Sequence, residues 1–325
     1  MMRSFWSHRT FRPFILLAIT VAIFGLLGGG RVLTLSTAYG VLQHFATLGP
    51  VALALGLTIM VRNFDLSVAG VVGLAGCVAI VVGSIDPVLG IAAALAIGAA
   101  FGLVQGAVIV RLNLSSIGVT LGGLLTATGL AYVVTGNQEI AFAQLEMPSL
   151  MDDPLVGPAS LRFLVAAGLF ALAAVVVSWT RAGRDLLASG SDPKAALVAG
   201  VRVGAVVISV FVIAGICSSL GGALLSYSLA AASPLPLSNT LVPAAAAAII
   251  GGVSLRGGRG HPVGIAGGVL VLSTLQSGLT ALGVDPFAQD IVTGGVLLTV
   301  GVADGLDLKR RVSSLGRRFS VSRAA

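Results

Sequence analysis

The amino-acid sequence predicts an all-α, polytopic membrane protein with about ten transmembrane helices. The first observation behind this class is composition: 56% of the 325 residues are hydrophobic, only 10% are charged, and the mean hydropathy is +1.04. Soluble domains carry roughly 25% charged residues. The second is the combination of 44 glycines with only 6% aromatic residues. That balance suits helices packed closely through small side chains, and it does not suit a barrel with aromatic girdles.

The third observation is a series of apolar windows near the length that crosses a bilayer, about 20 residues. They lie at 13–30, 41–61, 66–84, 88–110, 115–134, 161–180, 203–227, 241–254, 261–282 and 288–303. The first window could also be a signal peptide, because basic residues precede an apolar run, but its length favours a retained span. The eighth window is short and rich in alanine.

The positive residues predict how these spans are oriented. With the N-terminus inside, only Arg31 and Arg162 of the 19 lysines and arginines fall on the external side. The longest external loop, 136–160, is acidic and is predicted to form an ordered or half-helical rim, with a solvated loop as the alternative. The predicted divisions are a cytoplasmic N-terminal segment at 1–12, a transmembrane domain at 13–305 with a basic cytoplasmic loop at 181–202, and a basic cytoplasmic tail at 306–325.

Several function classes lack their sequence signatures. The chain has no GxxxxGK[ST] phosphate loop, and its three histidines show no metal-binding spacing. No Ser/His/Asp set can be placed from spacing either, so we predict neither an enzyme nor a metal or cofactor site. The net charge of +7 reflects topology rather than nucleic-acid binding, because the basic residues are scattered among the spans without interleaved aromatics.

No ionisable side chain lies in the middle of a predicted span, so coupling to protons or sodium within this chain is not predicted. Neutral polar residues do lie within the spans. They could line a path for an uncharged polyhydroxylated solute, or they could form hydrogen bonds between helices. Both interpretations are open for Gln105, Thr120, Thr126, Ser273 and Gln276. A solute pathway of this kind needs a partner that supplies energy.

Three blocks, in the same order and spacing, resemble the permease subunits of bacterial ABC importers for ribose, xylose, related sugars and autoinducer-2. The blocks are NFDLSVAGVVGLAG at 63–76, GRDLLASGSDPKAALVAGV at 183–201 and IIGGVSLRGGRGHPVGIAGGVLVLSTLQSGL at 249–279. The residues that carry the first and third blocks are Asp65, Leu66, Ser67, Gly251, Gly252, Ser254, Gly257 and Gly258. The resemblance implies a type II ABC-importer-like permease of the branched-chain-amino-acid-permease superfamily.

The same resemblance implies partners and a location for the chain. The partners are cytoplasmic ABC ATPase subunits, a periplasmic or extracellular solute-binding protein and a second permease subunit, identical or similar, all at a bacterial inner membrane. The loop around 185–200 would form short coupling helices against the ATPase, with Pro193 in the first turn after an Asp192 N-cap. The residues implied in this coupling are Arg184, Asp185, Gly190, Asp192, Pro193, Ala195, Ala196 and Gly200.

Alternatives remain for the loop, for Asp65 and for the whole chain. Ala195 to Val198 supply a small apolar face that would enter a cleft on the ATPase, whereas a helix lying on the lipid surface would normally carry larger apolar anchors. For Asp65, capping of the third span and a direct part in the pathway are both open. The chain could also be an ABC permease for amino acids or nucleosides, or a facilitator or channel that needs no ATPase.

Overall fold

The computed structural model describes residues 8–28, 30, 32–144, 146–235, 240–296 and 298–299, and of residues 8–10 only the backbone. Over this part the chain is largely helical, with four very short strands. The elements are α1 (His8–Gly28), α2 (Leu35–Met60), α3 (Val68–Gly83), α4 (Pro87–Leu112), α5 (Ser116–Thr135), β1 (Ile140–Ala141), α6 (Met147–Asp152), β2 (Pro154–Val156), β3 (Ala159–Ser160), α7 (Leu161–Trp179), α8 (Arg181–Ser191), α9 (Pro193–Val198), α10 (Val203–Leu229), β4 (Ala231–Ala232), α11 (Leu241–Ile250) and α12 (Pro262–Ala281). Further helical residues follow at 286–296 and 298–299.

Seven of the described helices are long and apolar enough to cross a membrane, namely α1, α2, α4, α5, α7, α10 and α12. The apolar helices α3 and α11 are shorter, with 16 and 10 residues. The prediction of an all-α polytopic membrane protein is therefore confirmed, while the number of spans stays a prediction. The end of the tenth window, the tail at 306–325 and residues 1–7 lie outside the described residues.

Two helix boundaries differ clearly from the predicted windows. α2 begins earlier than the window at 41–61, because Thr34 caps it: the Thr34 side chain accepts a hydrogen bond from Thr37 N at 3.1 Å. α11 ends earlier than the window at 241–254, because Gly252 adopts a left-handed backbone with φ +88°. Such a residue ends a helix.

The segments that join the helices give the two ends of the bundle opposite charge. We call one end the basic end; it holds the turns at 61–67, 113–115 and 251–261 together with α8 and α9. Together with Arg111 in the last turn of α4 and Arg202 directly before α10, its cations are Arg62, Arg181, Arg184, Lys194, Arg256 and Arg259. We call the other the acidic end; it holds 84–86, 136–160 and 230–235. Its carboxylates are Asp86, Glu139, Glu146, Asp152 and Asp153.

The second half of α2 forms the centre of the protein. Every residue from Gly49 to Met60 is buried, and the helix packs against α7, α10, α11 and α12. A segment that is buried on all sides cannot shift without its neighbours, because protein interiors are close-packed. Met60, the last residue of α2, therefore connects the buried core to the turn at the basic end.

Glycines allow α4 and α10 to touch backbone to backbone. A Cβ on Gly102 would lie 2.1 Å from the carbonyl oxygen of Phe211, and one on Gly98 would lie 2.3 Å from the carbonyl oxygen of Gly215. Gly106 continues the stripe, with its Cβ position 2.9 Å from an α10 Cα atom. The close packing through small side chains, predicted from the composition, is confirmed at this contact.

An ion pair fixes the rim at the acidic end. Here β1 pairs with β4, β2 pairs with β3, and α6 lies between the strands β1 and β2 in the chain. Asp152 Oδ1, at the end of α6, lies 3.1 Å from Arg162 Nε in α7. Ser228 Oγ of α10 donates to Asp152 Oδ2 at 2.5 Å, and Tyr39 Oη of α2 donates to Asp152 O at 2.9 Å. Arg162 also donates to Gln43 Oε1 at 2.7 Å and 3.1 Å. The rim is thus ordered and tied to three long helices.

Candidate functional site

The second and third sequence blocks meet the turn that precedes the first block at the basic end. The turn after α2, the end of α8 and the turn between α11 and α12 contact one another in what we call the basic joint, formed by Met60, Arg62, Gly190, Ser191 and Gly258. Gly258 N donates to Met60 O at 2.8 Å. Ser191 Oγ donates to Gly258 O at 3.2 Å. The joint therefore connects the proposed coupling segment to the central helix.

Arg62 bridges two of these segments. Its Nε donates to Gly190 O at 2.6 Å, and its Nη2 donates to Ser191 O. Both carbonyls belong to the last turn of α8, where helix carbonyls lack partners within the helix and carry the negative end of the helix dipole. A guanidinium group at this place satisfies the two carbonyls and stabilises the end of α8.

The segments approach one another closely because glycines occupy the contact. A Cβ on Gly190 would lie 1.8 Å from Met60 O, and one on Gly258 would lie 2.3 Å from Ser191 Oγ. Gly257 and Gly258 also have φ values of +76° and +69°, which residues with side chains rarely adopt. These three glycines of the predicted set therefore permit the close contact.

The first part of the turn after α11 folds back on itself. A Cβ on Gly251 would lie 2.6 Å from the Gly264 carbonyl oxygen of α12, and Gly252 has the left-handed φ noted above. Ser254 N donates to Arg259 O at 3.0 Å. Gly251, Gly252 and Ser254 thus shape the turn and its packing on α12.

α8 and α9 form the helical pair expected for the coupling loop. Asp192 Oδ1 accepts hydrogen bonds from Lys194 N at 3.0 Å and Ala195 N at 3.1 Å, and Pro193 lies in the first turn of α9. The predicted cap is confirmed. Gly200, with φ +86°, turns the chain from α9 toward α10.

α9 presents apolar side chains away from the protein. Leu197 and Val198 are 59% and 92% exposed, and Ala195 is exposed as well. Ala196, expected on the same face, is only 4% exposed and faces inward. The predicted apolar face of residues 195–198 is therefore corrected, because Ala196 is not part of it. A helix with 3.6 residues per turn cannot place four consecutive side chains on one side.

The segment from 181 to 202 also carries exposed charged side chains. The exposed cations are Arg181, Arg184, Lys194 and Arg202, and Asp185 is half-buried on α8. An apolar centre with a polar rim is the usual make-up of a protein–protein interface. The surface of α8 and α9 therefore suits a protein partner at the basic end.

Asp65 and Ser67 hold the turn before α3 in place. Asp65 Oδ1 accepts from Ser67 N at 3.0 Å and from Ser67 Oγ at 2.6 Å, and Gln105 Nε2 donates to Ser67 Oγ at 2.9 Å. Leu66 N donates to Thr120 Oγ1 at 3.1 Å. Burial raises the pKa of Asp65 to about 6. These contacts favour the capping interpretation of Asp65, although the carboxylate shapes the turn and Ser67 occupies the N-cap position itself.

A cleft of about 400 Å³ separates α4 from α5. Gln105, 5% exposed, lines the cleft, and its Oε1 has no hydrogen-bond partner among the described residues. Thr126 lines the same cleft near the middle of α5. The remaining lining residues are Ala100, Phe101, Val104, Val108, Val119, Gly123 and Leu130. The cleft therefore offers an amide oxygen and a hydroxyl group in an uncharged, mostly apolar setting.

The other three candidate lining residues lie elsewhere. Thr120 is hydrogen-bonded to the turn before α3. Ser273 is buried in α12 with a hydroxyl that has no partner in the described part of the chain, and Gln276 of the same helix is half-buried. A second cleft of about 430 Å³, between α1, α2 and α12, is mostly apolar and contains none of the five. The structure thus brings together Gln105 and Thr126.

Long apolar helices, ends of opposite charge and a cleft between two membrane-length helices define this chain as a polytopic membrane permease. The family model described as "Branched-chain amino acid transport system / permease component" matches residues 37–301. The chain belongs to this family. The resemblance to ABC permease subunits, predicted from three sequence blocks, is confirmed.

Relatives match almost the whole chain. It is 31% identical over 301 residues to the ribose import permease of Escherichia coli (strain K12), which covers 90% of this chain and 92% of the relative. It is 31% identical over 299 residues to the ribose import permease of Bacillus subtilis (strain 168), with 90% and 91% covered. It is 29% identical over 274 residues to an L-arabinose ABC transporter permease of Azospirillum brasilense, with 84% and 80% covered. No solved structure gives a significant match.

Two arginines that served in the sequence only as markers of topology make contacts that no sequence pattern predicts. Arg62 binds α8 carbonyls 128 residues away in the chain, and Arg162 binds Gln43 119 residues away. Contacts at such separations leave no periodic pattern. The only available signal for Arg62 was its position directly before the first sequence block.

Proposed function

We propose that this chain is the membrane-spanning subunit of an ABC importer that moves a neutral monosaccharide into the cell. Its relatives are named as permeases for ribose, L-arabinose, D-allose and fructose. The observation that carries the proposal is the neutral lining of the cleft between α4 and α5. An amino acid zwitterion would find no charged counterpart there, whereas sugar hydroxyls can donate to an amide oxygen.

The proposed orientation places the basic end in the cytoplasm of a bacterial cell and the acidic end outside its inner membrane, with both termini cytoplasmic. The support is the positive-inside rule, because among the described cations from Arg62 onward only Arg162, in the first turn of α7, lies away from the basic end. The cytoplasmic segments would then be 1–12, 181–202 and 306–325, with the transmembrane domain at 13–305. A solute-binding protein would approach the acidic end.

An ABC ATPase would dock on α9. The exposed side chains of Leu197 and Val198 provide the apolar centre of that contact, and the cations around it provide the rim. The other residues of the coupling set then have supporting roles. Asp192 and Pro193 start α9, Gly200 ends the segment, and Gly190 lets α8 pack on α2. A second permease subunit would complete the pathway.

The cleft between α4 and α5 would form part of the solute path. Thr126 lies ten residues into α5, about 15 Å along the helix at 1.5 Å per residue, which is close to half of the roughly 30 Å hydrocarbon core. Gln105 lies nearer the basic end of α4. A solute in the cleft would therefore meet these two polar groups in succession.

Reconstitution of this chain tests the proposed function directly. Proteoliposomes that contain this chain, its ATPase and its binding protein are expected to accumulate labelled ribose or L-arabinose only with ATP. Vesicles that contain this chain alone are expected to show no downhill flux, because the pathway opens through motion of the ATPase. ATP-independent flux through the chain alone would instead identify a facilitator, and uptake of leucine in place of sugar would identify an amino acid permease.

Filling the cleft is expected to block transport. Thr126→Trp places a large ring among the lining residues and should lower the initial rate of sugar uptake at least ~10-fold, because the ring would occupy the volume that the solute needs. The matched control is Leu125→Trp, since Leu125 is exposed on the neighbouring face of α5 and does not line the cleft. Equal uptake rates for the two variants, at equal amounts of protein in the membrane, would contradict a pathway at this cleft.

A further inference from the structure

Arg62 occupies a backbone position that favours glycine. Its φ is +63°, in the left-handed region that residues with side chains adopt rarely and at a cost in stability. A residue persists in that conformation only where surrounding contacts determine it. Here those contacts are the bonds from the guanidinium group to the carbonyls of Gly190 and Ser191. The side chain therefore offsets a cost that glycine at this position would avoid.

The helix that Arg62 holds is fixed at its other end as well. A Cβ on Gly183, in the first turn of α8, would lie 2.2 Å from the Val177 carbonyl oxygen of α7. Leu186 in the middle of α8 is buried in the core. α9 begins at Pro193, only two residues after Ser191. A force applied to α9 therefore reaches the end of α8 first, and Arg62 is the cation bound there.

We propose that Arg62 is the positioning residue that carries movement of α8 and α9 to the central helix α2, and hence to the solute path. This inference rests on the proposed function, because it takes α9 as the surface that the ATPase contacts. The backbone bond from Gly258 to Met60 ties the turn after α11 to the same point. Movement of α8 would thus reach α2 and α12 together.

The geometry of the contact requires arginine. One guanidinium group donates to two successive carbonyl oxygens from two different nitrogens, and its planar, fixed fork matches such paired acceptors. Lysine carries a single ammonium group on a flexible chain and would hold one carbonyl well at a time. Arg62→Lys should therefore retain only part of the coupling.

The test uses Arg62→Gly in the complete transporter, reconstituted with its ATPase and binding protein. Glycine fits the left-handed backbone, so the change removes the guanidinium group without straining the turn. We expect normal assembly and basal ATP hydrolysis within about twofold of the parent. Stimulation of hydrolysis by sugar-loaded binding protein should fall at least ~5-fold, and the number of ATP molecules hydrolysed per sugar should rise by a similar factor. Arg62→Lys should lie between the two proteins.

The control is Arg256→Ala, which removes an exposed cation from the turn that joins α11 and α12 and should leave stimulation and stoichiometry unchanged. The proposal would be overturned if the Arg62→Gly transporter kept the parent's stimulation and ATP-to-sugar stoichiometry, or if it failed to assemble. Leu197→Asp separates this result from the proposed function. If Leu197→Asp still binds the ATPase, the docking surface is wrong. If it releases the ATPase while Arg62→Gly couples normally, only the role of Arg62 is wrong.

Discussion

Leu197→Asp is expected to weaken binding of the ATPase about 30-fold or more and to reduce sugar uptake in proportion. The side chain is exposed on α9 beside that of Val198, so a partner bound to the apolar face would bury it. A carboxylate buried in an apolar contact costs about 2 kcal/mol or more, and 2 kcal/mol corresponds to a factor of about 30 in affinity. Binding is measured by pull-down of the purified ATPase in detergent, and uptake is measured with labelled ribose in cells.

Leu155→Asp is the matched control for this variant. Leu155 lies on β2 at the acidic end and is 58% exposed, almost the same as the 59% of Leu197. The two substitutions therefore add the same charge at equally exposed leucines on opposite ends. ATPase binding is expected to stay at the parent level for Leu155→Asp. Wild-type binding and uptake for Leu197→Asp would rule out α9 as the docking surface.

Arg162→Ala is expected to destabilise the protein by on the order of 3 kcal/mol. Arg162 is buried, and its removal leaves Asp152 and the Gln43 side chain without their cationic donor. Breaking a buried pair by removing one partner typically costs 3–5 kcal/mol, and the partial exposure of Asp152 places this pair toward the lower figure. The loss is measured as a lower midpoint of thermal unfolding in detergent and a smaller monodisperse fraction on size exclusion.

Two further variants test whether the stability lost in Arg162→Ala comes from breaking the buried ion pair. Arg162→Ala combined with Asp152→Asn removes the unpaired charge, so the double variant should recover part of the lost stability. Arg256→Ala removes an exposed cation at the opposite end and should change stability by less than about 0.5 kcal/mol. A midpoint for Arg162→Ala equal to that of Arg256→Ala would show that the ion pair contributes little to the fold.

Features set by composition and short-range pattern could be predicted from the sequence. Hydropathy identified the long apolar helices, the Asp192–Pro193 pair identified the start of α9, and the glycine content indicated close helix packing of the kind found between α4 and α10. These features depend on composition or on residues within a few positions of one another. The three sequence blocks were also found. The basic joint could not be predicted, because it depends on contacts of Met60 and Arg62 with distant segments of the second and third blocks.

The candidate lining residues show the same limit. Gln105, Thr120, Thr126, Ser273 and Gln276 are alike in sequence, because each is a neutral polar residue in an apolar helix. Only tertiary packing assigns Thr120 to the turn before α3 and places Gln105 with Thr126 on one cleft. Ala196 shows that packing also decides which side chains of a short helix face the protein, since Ala196 is buried while its neighbour Leu197 is exposed.

The contact between α4 and α10 has a mechanical consequence for the pathway. Where the Gly102 backbone contacts the Phe211 carbonyl, no flexible side chain lies between the two helices. α4 and α10 are therefore expected to move as one rigid pair. α5 faces α4 across the cleft and packs on α3 through a similar contact, since a Cβ on Gly70 would lie 2.7 Å from the Leu124 carbonyl oxygen. A change in the width of the cleft therefore requires α5 to move together with α3, because neither glycine contact has a side chain that could adjust.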